Sequence, residues 1–339
     1  MSSLRRMPEP TTTSNATNAP SEATMAQQTN ATVVSIGEAL IDIVQPQNGE
    51  VTEHVGGSPA NVAVGLAALG HPTLLATNLG DDERGQRITD YLAERDVALT
   101  PGSRNAARTS TAKAQLDADG GATYDFDLTW DIPVPDLSNV GHVHTGSIAA
   151  TLQPGASAVF EAMAAARASG TVSYDPNARP TIMGEAHEAR SMIEECIGRS
   201  DVVKASAEDI EWLYQGASVE EVARLWGRLG PALVVITDGG DGAMVHQSST
   251  DTQGRVAAPK VEVIDTVGAG DSFMAGLISG LLDAGLLGSV EARQRLEGAS
   301  SWALSAAVDR ALSTAAYTVA RAGAASPTRA DIDISTVSE

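Results

Sequence analysis

The densest chemistry in the 339 residues is Asp265-Thr266-Val267-Gly268-Ala269-Gly270-Asp271-Ser272-Phe273, directly ahead of a helical run, MAGLISGLLDAG. Small residues at Gly268, Ala269 and Gly270 let a ligand approach the backbone closely. The unpaired N–H groups of a helix start, at the positive end of the helix dipole, form an anion site. Asp271 adds a carboxylate in that first turn. An anion hole beside a base suits phosphoryl transfer to a hydroxyl: one stabilises the moving charge, the other accepts the hydroxyl proton. An ordinary glycine turn followed by an N-terminal aspartate would carry the same letters.

A second motif is Gly56-Gly57-Ser58-Pro59-Ala60-Asn61-Val62-Ala63. A double glycine precedes a helix with Pro at an allowed first-turn position, and Asn61 faces back toward the turn. This suits close contact with a polyhydroxyl ligand, and it is also what a plain helix N-terminus looks like.

These motifs need elements to hold them, and the pattern supplies an alternating set. ATVVSIGEALIDIVQ reads as a buried strand, a turn at Gly37 and more strand. Pro59–Gly70 is helical, PTLLATNLG a strand, and ERGQRITDYLAERDV an amphipathic helix. HVHTGSI, TVSYD, DVVKA and ALVVITDG follow as strands, with helices predicted over 156–168, 185–197, 207–213 and 219–229, and a helical C-terminal third from Ala269. Strands alternating with helices imply parallel βαβ units, hence a doubly wound, mostly parallel α/β sheet flanked by helices. RTSTAKAQLDADGGATYDFDL breaks the rhythm with period-two alternation around Asp119-Gly120-Gly121, a hairpin signal. It predicts a small β lid within about 109–130, joined by a strand over 49–55. Its edges would let two copies pair through the lid strands.

Composition sets limits. There are 22 Lys plus Arg against 43 Asp plus Glu, a net charge of −21, which disfavours nucleic-acid partners. The 42% apolar and 19% charged fractions are those of a globular chain. Residues 1–30 carry few large apolar side chains and are expected to form a disordered tail, with one folded domain over 31–330 and a loose end at 331–339. Cys196 is the single cysteine, so no internal disulfide or cysteine-based zinc site is expected, which fits a reducing, cytoplasmic setting. No run approaches the roughly 18 apolar residues of a membrane span. Neither G-x-G-x-x-G after the first strand nor a G-x-x-x-x-G-K-[ST] loop is present, which argues against a Rossmann dehydrogenase and a Walker-type phosphotransferase.

Together, the two motifs and the alternation resemble the PfkB, or ribokinase-like, family of carbohydrate kinases, from Val33 to about Thr328. The resemblance implies a central sheet with a β lid, ATP, Mg²⁺, and transfer of the γ-phosphoryl to a sugar hydroxyl. Asp271 matches the family's base, and Gly268, Ala269 and Gly270 its anion hole. Asp42 in GEALID, Gly57 and Asn61 match sugar contacts. Thr237, Gly239 and Gly242 in ITDGGDGAMV match the nucleotide loop. Lys204 opens KASAEDIEWL, which resembles the segment near metal and phosphates. There Ser206 stands for the family's Asn and Asp209 for its Glu, with Glu208 as a stand-in. The shorter Asp implies a water-mediated metal contact. Asp265 and the Val267 carbonyl correspond to a monovalent-cation site, which implies K⁺.

The resemblance also speaks to the sugar. Ser58 stands where kinases of ribose and of sugar phosphates tend to carry Lys. DPNARP matches a segment shared by fructokinases and 2-keto-3-deoxygluconate kinases and places Arg179 near substrate. The acid-sugar kinases carry a Tyr-Arg pair at the end of the lid strand. Asp127 and Leu128 stand there, so a substrate carboxylate loses a partner and Asp127 is expected to repel it. Phe126 is expected to close over the sugar's apolar face. A neutral hexose, D-fructose first, is expected. The alternatives are 2-keto-3-deoxygluconate or another sugar, and a non-catalytic sugar-binding protein of the same fold.

Overall fold

The computed structural model describes residues 31–45, 50–116 and 122–332. The chain begins with β1 (Thr32–Ile36), β2 (Leu40–Gln45), β3 (Thr52–Gly56), α1 (Ser58–Ala68), β4 (Thr73–Ala76), α2 (Glu83–Ala93) and β5 (Val97–Leu99). Next come β6 (Thr111–Leu116), β7 (Ala122–Asp127), β8 (Val140–Gly146), α3 (Gly155–Ala166), β9 (Thr171–Asp175), α4 (Pro180–Met183), α5 (Ala186–Gly198) and β10 (Val202–Ser206). The chain continues through α6 (Ala207–Leu213), α7 (Val219–Gly227), β11 (Leu233–Thr237), β12 (Ala243–Gln247) and β13 (Thr252–Val256) to α8 (Ala269–Asp283), α9 (Val290–Glu297) and α10 (Ser301–Val319).

The main sheet has nine strands in the order β13-β12-β11-β10-β9-β8-β1-β4-β5. From β5 to β11 the pairs are parallel; β12 and β13 close one edge antiparallel. The central strands are apolar on both faces, as a sheet covered on both sides requires. Val34 and Ile36 of β1 point into one core with Val143, Tyr174, Ile193 and Trp226. Val33 points into the other, with Phe273, Leu277 and Ile278 of α8 and Val308 of α10. The expected doubly wound, mostly parallel sheet is present.

The lid is a separate sheet of four strands, β3-β2-β6-β7. The pairs β2–β3 and β6–β7 are antiparallel, and β2–β6 is parallel. The run after Gly37 therefore does not continue the first strand's sheet: β2 leaves it and becomes the lid's centre. Ile41 of β2 anchors the lid in a third core with Ala63, Leu79, Ile88 and Leu92. The predicted turn at Asp119-Gly120-Gly121 lies outside the described residues, as do 1–30 and 333–339. Asp331 and Ile332, expected in the loose end, are held: Asp331 accepts from the Thr328 N–H at 2.8 Å, and Ile332 is buried.

Candidate active site

Both sequence motifs converge on one carboxylate. Asp271 is the third residue of α8, and it is buried. Ser58 Oγ donates to its Oδ1 at 2.6 Å, and Asn61 Nδ2 donates to its Oδ2 at 2.8 Å. Residues more than 200 positions apart thus meet because α1 and α8 start side by side. Asn61, expected as a sugar contact, here holds the expected base.

The start of α8 depends on two glycines for different reasons. Gly268 precedes the helix at φ +75°, where an L side chain is strained, and a Cβ would stand 2.5 Å from Ala324 Cβ. Gly270 lies inside the helix, so its backbone is unexceptional; a Cβ there would stand 3.1 Å from the Lys204 ammonium. Ser272 N–H makes the first i→i−4 bond, to the Gly268 carbonyl at 2.8 Å. The Gly270 and Asp271 amides precede that bond and remain donors for an anion. Across the cleft, Gly57 sits at φ +109° with the Glu38 carbonyl where its Cβ would be.

Asp42 is positioned by register. It lies opposite His54 of β3 and Ala112 of β6, and Ala112 lies opposite Phe126 of β7. Directly paired residues share a face, so Phe126, Ala112, Asp42 and His54 form one row across the lid. Burial, opposed by His54 and Arg179 and reinforced by Asp271, raises the Asp42 carboxyl to about 6. His54 carried no motif and was not expected.

Asp127 sits in the neighbouring row with Thr111 and Ile41, on the opposite face of the lid. Its carboxylate is bound by Arg108, through Nε at 2.8 Å and through Nη2. The expected repulsion of an anionic sugar by Asp127 is therefore corrected: the period-two alternation turns it away, and Arg108 neutralises it. Leu128 packs on the main core.

Arg179 is exposed and folds onto its own loop, with Nη1 donating to Asn177 Oδ1 at 2.8 Å and to the Ala178 carbonyl at 3.0 Å. Its charge acts on both Asp42 and Glu38. Glu38 is the main residue the sequence reading passed over. It follows β1 and is 8% exposed, and its Oε2 is buried without a hydrogen-bond partner. Burial raises it to about 7, against the pull of Ser147 and Arg179. The signal available was the acid beside Gly37 in an otherwise apolar run.

The phosphate-side expectations divide. Lys204 does not reach into open space; it is 3% exposed, and its Nζ donates to Asp175 Oδ2 at 2.9 Å. Ser206 and Asp209 form a reciprocal cap on α6: Ser206 N–H and Oγ both donate to Asp209 Oδ2 at 2.8 Å. Asp209 Oδ1 accepts the Ala178 N–H at 2.7 Å. Both its oxygens are thus already engaged, and Glu208 is exposed on the preceding position. Among the described residues no group of three or more His, Cys, Asp or Glu is arranged to hold a metal. Asp265 accepts the N–H groups of Val267 at 3.0 Å and Gly323 at 2.8 Å, so it shapes the loop, and Val267 is 57% exposed. Thr237 ends β11, with its hydroxyl bonded to the Ala205 carbonyl at 3.3 Å, and Gly239 and Gly242 form the turn into β12.

The pfkB family carbohydrate kinase model matches residues 30–331. The chain belongs to that family. Similar curated proteins include a fructokinase of Klebsiella pneumoniae, 32% identical over 267 residues, 76% of this chain and 86% of the other. Among solved structures, Xylella fastidiosa fructokinase with bound ATP superposes with a TM-score of 0.77 at 26% identity, over 89% of this chain and 96% of that one. A double mutant of Vibrio cholerae fructokinase, bound to fructose, ADP and potassium ion, gives 0.73 at 28% identity, over 89% and 97%.

Proposed function

We propose that this chain transfers the γ-phosphoryl of ATP to a hydroxyl of D-fructose. The observation that carries it is the Asp271 carboxylate, buried at the start of α8 and held by Ser58 and Asn61 beside unpaired amides. The sugar lies between the Asp42–Phe126 row and Asp271. Its hydroxyls take over as donors to Asp271, whose carboxylate accepts the proton of the attacking hydroxyl as the O–P bond forms and ADP leaves. The Gly270 and Asp271 amides and the Gly268–Gly270 turn stabilise the phosphoryl charge. Gly57 and Arg179 complete the sugar side. Thr237, Gly239 and Gly242 border the nucleotide. Mg²⁺ would accompany ATP near Asp209 and Glu208, neutralising phosphate charge, and K⁺ would suit the Asp265–Val267 loop.

Fructose is preferred over acid sugars because Ser58 and Leu128 offer no cation to a carboxylate, and because several similar proteins are named fructokinases. Arg179 is a nearby cation and favours 2-keto-3-deoxygluconate as the second reading. We place the reaction in the cytoplasm, with the lid edges β3 and β7 as the surfaces through which two copies would pair. No helix of the described residues is long and apolar enough to cross a membrane. The test is competition between fructose and 2-keto-3-deoxygluconate at equal concentration. Preferential phosphorylation of the acid would overturn the fructose assignment and leave the family standing.

A further inference from the structure

The phosphate side of the cleft rests on a buried ion pair between the first residues of two quoted segments, DPNARP and KASAEDIEWL. Asp175 is the last residue of β9, and Lys204 is the third of β10. Both are almost fully buried, and the carboxylate and ammonium meet at 2.9 Å. The ammonium lies against Gly270, where a Cβ would come within 3.1 Å of Nζ. Asp175 also accepts the Asn177 N–H at 3.1 Å through its other oxygen, so its carboxylate is fixed at both ends. Toward the start of β9 the row is polar but uncharged: Ser173 joins His142 at 2.9 Å and His144 at 3.0 Å, and burial pushes both imidazoles down to about 3. Burial works against charge on Lys204, but Asp175, Asp209 and Asp271 together hold it above the ordinary lysine value.

We propose that Asp175 is a positioning residue that holds the Lys204 ammonium against Gly270, so that a fixed cation backs the anion hole at the start of α8. This rests on the sugar-kinase reading above. A lysine has a flexible four-carbon stem, and its ammonium is a point charge with no preferred geometry of its own. The Asp175 contact supplies the geometry and keeps the ammonium from turning toward Asp271. It also gives Gly270 a reason to be glycine that backbone conformation does not: the missing Cβ leaves room for the ammonium.

The test compares wild type with Asp175→Asn, Lys204→Met and the double variant. Two readouts are taken: fructose-dependent kcat and KM, and calorimetric affinity for a non-hydrolysable ATP analogue relative to ADP. Each single variant is expected to lower kcat by about 10²-fold, the scale of losing one preorganised stabiliser, while the sugar KM stays within about threefold. Each should also erase the analogue's advantage over ADP. Because Asp175 acts through Lys204, the double variant should be no slower and bind no worse than Lys204→Met alone. Asp175→Asn strands a buried cation; if that variant fails to fold, the double variant against Lys204→Met decides. Additive losses in the double variant, or wild-type kcat in a folded Asp175→Asn, would overturn the proposal. A wild type that phosphorylates no sugar would instead overturn the kinase reading, and the binding comparison would still judge the role of Asp175.

Discussion

Asp271 and Asp42 are the two acids proposed to act in the cleft, and they are held by opposite means. Asp271 is fixed by a helix start, two hydrogen bonds from α1 and burial. Asp42 is fixed by strand register alone, in a four-stranded lid anchored to the body through Ile41. In the proposed reaction the helix end would present fixed dipoles toward a developing charge, whereas the lid would present a row of side chains toward a ground-state ligand. Interactions strengthened only in the transition state act on kcat, and uniform binding contacts act on KM. The two regions should therefore fail differently when broken.

The largest effect is expected at the helix end. Asp271→Asn keeps the shape but replaces one acceptor oxygen with an amide donor and cannot accept a proton, so kcat should fall by about 10²–10⁴-fold, far more than fructose affinity weakens. Steady-state kinetics and direct sugar titration check both halves. Turnover within a few-fold of wild type would remove Asp271 from the base role.

On the lid, Asp42→Ala removes the acceptor proposed for the sugar's hydroxyls, and one charge-assisted bond is worth roughly 1.5–3 kcal/mol. The sugar KM should rise about 10- to 100-fold with little change in the KM for ATP. In the wild type the carboxyl titrates near 6, so the sugar KM should climb as pH drops below that value, and Asp42→Asn should flatten the climb. An ATP-side defect would contradict the division.

The smallest effect concerns Glu38, between the two regions. Its folded-state value is raised from 4.5 to about 7, so the native state binds more protons than the unfolded chain between those pH values. Stability contributed at low pH is then lost as pH rises from 4.5 toward 7, up to roughly 3 kcal/mol. Thermal melts of Glu38→Gln, which stays neutral, should show a weaker decline over this window than wild type. Parallel declines would show that Glu38 is not the titrating group.

The same contrast explains what could be read from the letters. The α8 start was legible because glycine spacing, a helical run and an acid are local signals. The meeting of Ser58 and Asn61 with Asp271 was not, since it depends on α1 and α8 packing together. In the lid, alternation marked the strands, but the face of each residue depends on pairing: Phe126 shares Asp42's row, while Asp127, one residue on, faces away and is bound by Arg108. The transfer of β2 from the main sheet to the lid left no local trace either. Lys204 reads as a phosphate contact, yet Asp175, which sets its position, stands 29 residues earlier in a segment notable only for Arg179.

The central claim is that the chain phosphorylates a sugar with ATP. It is tested most directly by measuring ADP release from the wild type with MgATP, alone and with D-fructose, ribose, fructose 6-phosphate or 2-keto-3-deoxygluconate. The account predicts ADP release that depends on added sugar and is fastest with fructose. Release that stays at the sugar-free rate with every acceptor, while fructose still binds, would contradict it and leave a sugar-binding protein of the same fold.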